Sequence, residues 1–171
     1  MLRILGFQNN CLPLHAKLKF RTMATKVQKD YFVESRRLRA IVMTKAKELI
    51  GNPITFSITN GITMQVEITN SDLRVIANKN TRNNKFNAIK NVLAMDIKGY
   101  LEKAEYVGWR PTVDGKHFES AYFTYFSRDL GCKTILCMRK MRIGGIYKPY
   151  AIIDEYTFNA NKDSLIKGTP P

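Results

Sequence analysis

The sequence predicts an α+β fold: N-terminal helices and a β-hairpin followed by a four-stranded antiparallel sheet packed on a long amphipathic helix. Three observations predict this fold. Apolar residues recur at three- and four-residue steps in two segments, an Asn-Gly pair separates two β-rich runs, and strand patterns joined by Gly-containing turns fill the second half. A length of 171 residues with 44% hydrophobic residues suits one domain with its own core.

The first half of the chain is predicted to hold two helices and the hairpin. Residues 26–49 follow a helical period, and Gly-Asn-Pro at 51–53 ends the run. The hairpin is centred on Asn-Gly at 60–61, because both central positions of a type I′ turn require positive φ. A short helix is predicted at 72–78, with the Asn and Ser at 70–71 as its caps.

The second half is predicted to hold the long helix and the sheet. Apolar residues at 86–104 form a helical stripe, with Lys and Asn mainly off it. Four strands follow at 106–109, 118–126, 132–140 and 147–158, joined by short Gly-containing turns that predict an antiparallel meander.

The ends of the chain differ in composition from the middle. The first 29 residues contain no Asp or Glu and several cations, which resembles an organellar transit peptide. A biological start at Met23 explains the same composition. We therefore predict a basic leader at 1–22 outside the fold, a single α+β domain at 23–158, and a flexible tail at 159–171.

Positive charge dominates the composition. Lys and Arg number 28 against 14 acidic residues, which gives a formal net charge of +14. Such a field favours phosphate-rich partners, so nucleic acid is the expected partner, with RNA ahead of DNA, and an anionic membrane surface is the alternative. No apolar run reaches the length of a membrane span. Three cysteines without a CxxC pair indicate a reducing compartment.

The predicted sheet offers aromatic and cationic groups for RNA. Alternation along 118–126 separates Tyr122 from Glu119 and Tyr125, which lie on the other face. The segment RKMRIGGIYK at 139–148 forms a basic strand end and turn suited to phosphate. An ordinary half-solvated sheet explains the same pattern. The predicted substrate-binding residues are Lys116, Tyr122, Tyr125, Arg142, Lys148 and Tyr150.

Metal-free RNA cleavage is the chemistry that the remaining residues allow. The sequence has no HExxH, acidic cluster, phosphate-binding glycine loop or GxSxG elbow, so no metal or cofactor is expected. His117 is the only histidine of the predicted domain and could act as acid or base near neutral pH. Glu119 follows one same-face step along the strand, and Arg139 could stabilise charge. Alternatively, His117 is a surface turn residue.

A series of segments in the C-terminal half forms a recognisable order of elements: KAEYVGW at 103–109, the DGK turn at 114–116, SAYFTYF at 120–126, KTILCMRK at 133–140 and YKPYAIIDEY at 147–156. Over about 66–158 this order resembles the phage-associated nuclease domains of the barnase–EndoU–colicin–RelE-like (BECR) class. In that class, helices precede a short strand and three more antiparallel strands. His117 stands just before its strand, whereas many such domains carry a histidine on it.

Two functions are expected from these observations. The resemblance implies a toxin-like, metal-independent ribonuclease from a phage or mobile element, which cleaves RNA by 2′-hydroxyl transesterification and acts in the cytoplasm of a bacterial or phage-infected cell. An inhibitor or immunity protein would be a further partner. The alternative is a non-catalytic basic nucleic-acid-binding module or an accessory interaction protein. The basic leader leaves organellar import open as a second location.

Overall fold

The described part of the chain contains six strands and five helices. It comprises residues 30–44, 54–58, 62–79, 81, 83–112, 117–160 and 164–168 of a computed structural model. The helices are α1 (30–44), α2 (Asn70–Asn78), α3 (Asn84–Ala94), α4 (Ile97–Lys103) and α5 (Glu155–Asn159). The strands are β1 (Ile54–Ile58), β2 (Ile62–Val66), β3 (Glu105–Pro111), β4 (His117–Ser127), β5 (Cys132–Met141) and β6 (Tyr147–Asp154). The predicted α+β class is confirmed, and the leader at 1–22 lies outside the described residues.

One mixed sheet takes up all six strands, in the order β1-β2-β6-β5-β4-β3. Strands β3 to β6 form the predicted antiparallel meander. The predicted sheet of four strands is wrong in extent, because the hairpin adds β1 and β2 at its edge. Strand β2 runs parallel to β6 with Val66 opposite Tyr147, and the Glu67 N–H donates to the Tyr147 carbonyl at 3.0 Å. Pairing of Ile58 with Ile62 confirms the hairpin, although its turn lies outside the described residues.

The single long helix predicted at 86–104 is two helices, α3 and α4. Asp96 lies between them, and its carboxylate accepts a hydrogen bond of 2.8 Å from the Gly99 N–H. Asp96 therefore caps the start of α4. The apolar period continues through the break because both helices bury residues, among them Phe86 and Ile97, in the same core. Periodicity alone does not reveal this break.

Side-chain caps also move two other predicted boundaries. Thr69, rather than a residue at 70–71, caps α2 through a capping box with Asp72, so α2 begins at Asn70. The last strand stops at Asp154, whose carboxylate accepts from the Thr157 N–H at 2.7 Å. Helix α5 begins there, and the strand predicted to reach residue 158 is four residues shorter.

Part of the predicted flexible tail pairs with β3. Trp109 and Ile166 exchange two backbone hydrogen bonds, of 2.8 and 3.0 Å. Gly108 permits this approach, since its φ is +152° and a Cβ there would lie 2.8 Å from the Ile166 carbonyl oxygen. Residues 164–168 therefore cover the outer edge of β3.

The two faces of the sheet are covered differently. We call the side that packs against α2, α3 and α4 the helix face, and its core includes Phe123 and Leu136. We call the opposite side the open face. It carries Tyr122, and the described residues that pack on it include Phe158 of α5 and Leu165. Strand alternation assigns each side chain to one face or the other.

A buried lysine holds the C-terminal end of α2. Lys90 of α3 is only 1% exposed, and its ammonium donates to the carbonyls of Ile76, Ala77 and Lys79. These carbonyls are among the groups that the end of a helix leaves without intrahelical partners. Burial lowers the pKa of Lys90 to about 8, and the charges of Arg39 and Lys79 act in the same direction. The ammonium thus joins α3 to α2.

This lowered pKa predicts stability that rises with pH. The pKa of Lys90 is about 8 in the folded protein, against an ordinary value of 10.5 that applies to the unfolded chain. Between pH 8 and pH 10.5 the unfolded chain therefore binds more protons than the folded protein. We expect the wild type to gain about 2 kcal/mol in the free energy of unfolding, relative to Lys90→Met, between pH 8 and pH 10. Urea unfolding at each pH measures this difference. Lys85→Met, an exposed position on the same helix, is the control, and an unchanged difference for Lys90→Met would contradict the assignment.

Candidate functional site

A β-bulge brings an aromatic side chain to the open face. Cys137 is paired with Ala151 and Met138 with Pro149, so Tyr150 is an extra residue in β6. Tyr150 and Ala151 then line the same cavity as Cys137. The bulge therefore puts two consecutive residues, Tyr150 and Ala151, on this face, which strict alternation does not allow.

Two cations contact the ring of Tyr150. The Arg139 guanidinium lies 3.4 Å from the ring centroid, and the Lys79 ammonium lies 4.2 Å from it. Arg139 comes from β5, whereas Lys79 directly follows α2, where Lys90 binds its carbonyl. Both distances are within the range of a cation–π interaction. Two positive charges are therefore held against one aromatic ring.

A second aromatic residue, Tyr122, lies on the open face of β4. The Arg110 guanidinium is 5.1 Å from its ring centroid, and the Phe158 ring centroid is 5.7 Å away. The Tyr122 hydroxyl is near the Ser120 hydroxyl and the Cys137 thiol, but it has no hydrogen bond of normal geometry to any described residue. Burial raises the pKa of Tyr122, so the hydroxyl keeps its proton.

A cavity of about 190 Å³ lies among these groups. Its buried lining includes Tyr122, Ala151 and Phe158, whereas Lys79 and Thr157 in the lining are exposed. The exposed residues mark the opening of the cavity, and the buried residues mark its floor. The site therefore combines an apolar floor with positive charge at the entrance.

Other predicted site residues lie at or near the ends of strands. Lys148 forms an ion pair with Glu67, with 3.6 Å between Nζ and Oε2. Arg142 lies in the β5–β6 turn, and its Nε donates to the His117 carbonyl oxygen at 3.2 Å. His117 begins β4, and a bulge between His117 and Glu119 breaks the same-face relation that the sequence predicts for these two. Predicted residue Lys116 lies outside the described residues.

Glu119 and Tyr125 lie on the helix face. The Glu119 side chain is 0% exposed, accepts a hydrogen bond from the Tyr147 hydroxyl and has its Oε1 3.7 Å from the Lys140 ammonium. Tyr125 packs edge-on against Tyr100, with ring centroids 5.3 Å apart. Burial is the largest cause that raises the pKa of Tyr147, and the hydrogen bond to Glu119 is the next largest.

The three predicted catalytic residues are not brought together at one point. Glu119 is paired across the sheet with Lys140, and its neighbour Ser120 is paired with Arg139, so Glu119 and Arg139 lie on opposite faces. His117 lies at the end of the strand. The open face instead groups Arg139 with the predicted binding residues Tyr122 and Tyr150.

Two cations of the site were not predicted from the sequence. Lys79 falls in the polar segment between the helices predicted at 72–78 and 86–104, and no short-range pattern links it to Tyr150. Arg110 falls just beyond the strand predicted at 106–109, whereas β3 extends to Pro111. Extending the predicted strand by one residue would have placed Arg110 on a sheet face.

Comparison with known proteins gave no match to a family model, a curated protein or a solved structure. Among the described residues, no group of three or more His, Cys, Asp or Glu side chains could hold a metal ion. None of the described helices has the length and apolar character needed to cross a bilayer.

The Glu119–Tyr147 contact predicts a structural effect. Tyr147→Phe removes the donor to a fully buried carboxylate, so we expect the free energy of unfolding to fall by about 1.5–3 kcal/mol, measured by urea unfolding. Tyr156→Phe makes the same chemical change at a side chain that is 87% exposed and should leave stability within about 0.5 kcal/mol. Equal free energies of unfolding for the two variants would show that the buried hydrogen bond does not contribute to stability.

Proposed function

We propose that the protein binds nucleic acid, with RNA ahead of DNA, through the open face of the sheet. The observation that carries this proposal is the grouping of Arg139 and Lys79 on Tyr150 and of Arg110 on Tyr122. Aromatic rings stack on bases of any sequence, and guanidinium and ammonium groups bind phosphate. One surface thus offers both contacts that a nucleotide chain needs.

The charge of the whole chain supports the same partner. A net charge of +14 attracts polyanions from a distance, and the open face adds local cations at the rings. Lys79, Arg110 and Arg139 repel one another because they carry like charges, and an anionic backbone would relieve that repulsion.

Salt-dependent RNA binding tests the proposal. Because Arg139 would contact phosphate, we expect Arg139→Gln to weaken binding about fivefold or more and to reduce the slope of log affinity against log salt by about 0.7. Fluorescence anisotropy with a labelled RNA over a salt series measures both. Arg128→Gln removes the same charge from the exposed β4–β5 turn, at the other end of β5, and should change affinity much less. Absence of binding by the folded wild type at low salt would refute the proposal.

Metal-independent RNA cleavage is the second candidate function. The contact of Arg142 with the His117 carbonyl favours it, because it holds a guanidinium, which could stabilise negative charge on phosphate, beside a residue whose imidazole could act as acid or base. The resemblance to BECR nuclease domains supports the same reaction. The buried position of Glu119 argues against its role as the partner of His117 in catalysis.

Cleavage is tested by incubating RNA with the protein in EDTA. We expect products with 2′,3′-cyclic phosphate ends, and a rate lowered by about 10² to 10⁴ in His117→Ala if His117 transfers a proton. His15→Ala, the same change at the other histidine, should keep the wild-type rate. Cleavage by His117→Ala at the wild-type rate would exclude His117, and intact RNA in the presence of bound wild type would exclude the reaction.

A further inference from the structure

The cavity of the open face has features that phosphate binding alone does not require. Its floor includes the apolar side chains of Ala151, Ile153 and Phe158. Its volume of about 190 Å³ is below the roughly 300–1,000 Å³ of pockets for drug-sized ligands. Such a space suits one ring system, because a larger ligand would leave most of its surface outside.

The polar groups of the cavity specify what kind of ring would fit. The Tyr122 side chain is 3% exposed, and its protonated hydroxyl lacks a partner of normal geometry among the described residues. A buried donor of this kind favours a ligand with acceptor atoms on its edge. Lys79 and Arg110 also line the cavity, so a ring with an attached phosphate could bind both parts. A nucleotide has this combination of flat ring, polar edge and adjacent phosphate.

Access to the cavity restricts the form of the nucleic acid. The cavity is a recess in the open face, because Leu165, which lies outside the sheet, forms one of its sides. A base that is paired and stacked in a duplex cannot enter such a recess without leaving its stack, which costs free energy. A base of a single strand is already free to turn outward.

We propose that this cavity binds one unstacked nucleobase, and that the protein therefore selects single-stranded over double-stranded nucleic acid. The inference rests on the nucleic-acid binding proposed above and adds the part of the ligand that is recognised. The base lies against the floor near Tyr122, and its phosphates lie near Lys79 and Arg110.

The experiment compares two labelled oligomers that carry the same number of phosphates. One is a mixed-sequence single-stranded 2′-O-methyl RNA, which lacks the hydroxyl nucleophile and cannot be cut by transesterification. The other is its fully abasic counterpart. We expect the wild-type protein to bind the base-bearing oligomer about tenfold or more tightly than the abasic one in fluorescence anisotropy. The base-bearing strand annealed to its complement should lose this advantage.

A variant locates the effect in the cavity. Ile153→Trp fills the space, so affinity for the base-bearing oligomer should fall to that for the abasic oligomer, while abasic binding stays unchanged and reports that the surface is intact. Equal wild-type affinity for the two oligomers, with both weakened by Arg139→Gln, would overturn the base pocket and leave the proposed function standing. A base preference that survives in Ile153→Trp would also overturn it. Failure of both oligomers to bind would overturn both proposals.

Discussion

The position of the site depends on one buried ammonium group. Lys90 donates to three carbonyls at the end of α2, one of which belongs to Lys79. Helix α2 packs on β6, the strand that carries Tyr150, and the side chain of Lys79 reaches that ring. A charge that is 1% exposed costs free energy unless its donors are satisfied, so this arrangement tolerates little displacement. The helical core and the open face are therefore fixed by the same contact.

The two faces of the sheet carry different side chains because successive residues of a pleated strand point to opposite sides. On β4, Glu119 faces the helices and is bound by Tyr147, whereas Tyr122 faces the cavity. Two residues that are close in sequence thus have opposite environments, since one packs in the core and the other lines the cavity. The bulge in β6 departs from this rule at Tyr150 and enlarges the open face.

Local sequence signals predicted the strands better than the boundaries and the site. The meander was recognisable because alternation and turn residues act over a few positions. The break at Asp96 was not, since a capping side chain interrupts the helix while the apolar period continues. The grouping of Lys79 with Tyr150 depends on tertiary packing between α2 and β6, which no local pattern encodes. The separation of Glu119 from Arg139 was within reach, because alternation alone places them apart.

The parallel pairing of β2 with β6 has a consequence for folding. Its paired residues, Val66 and Tyr147, are far apart in the chain, whereas the meander and the hairpin each pair neighbouring segments. Closing a long loop has a large entropic cost and is therefore slow. The β2–β6 pairing should form after the hairpin and the meander have formed. Until then, β6 would present an unpaired strand edge, which is a template for pairing with another chain. The edge of β6 that pairs with β2 is therefore where a newly synthesised chain would be most prone to pair with a strand of another molecule.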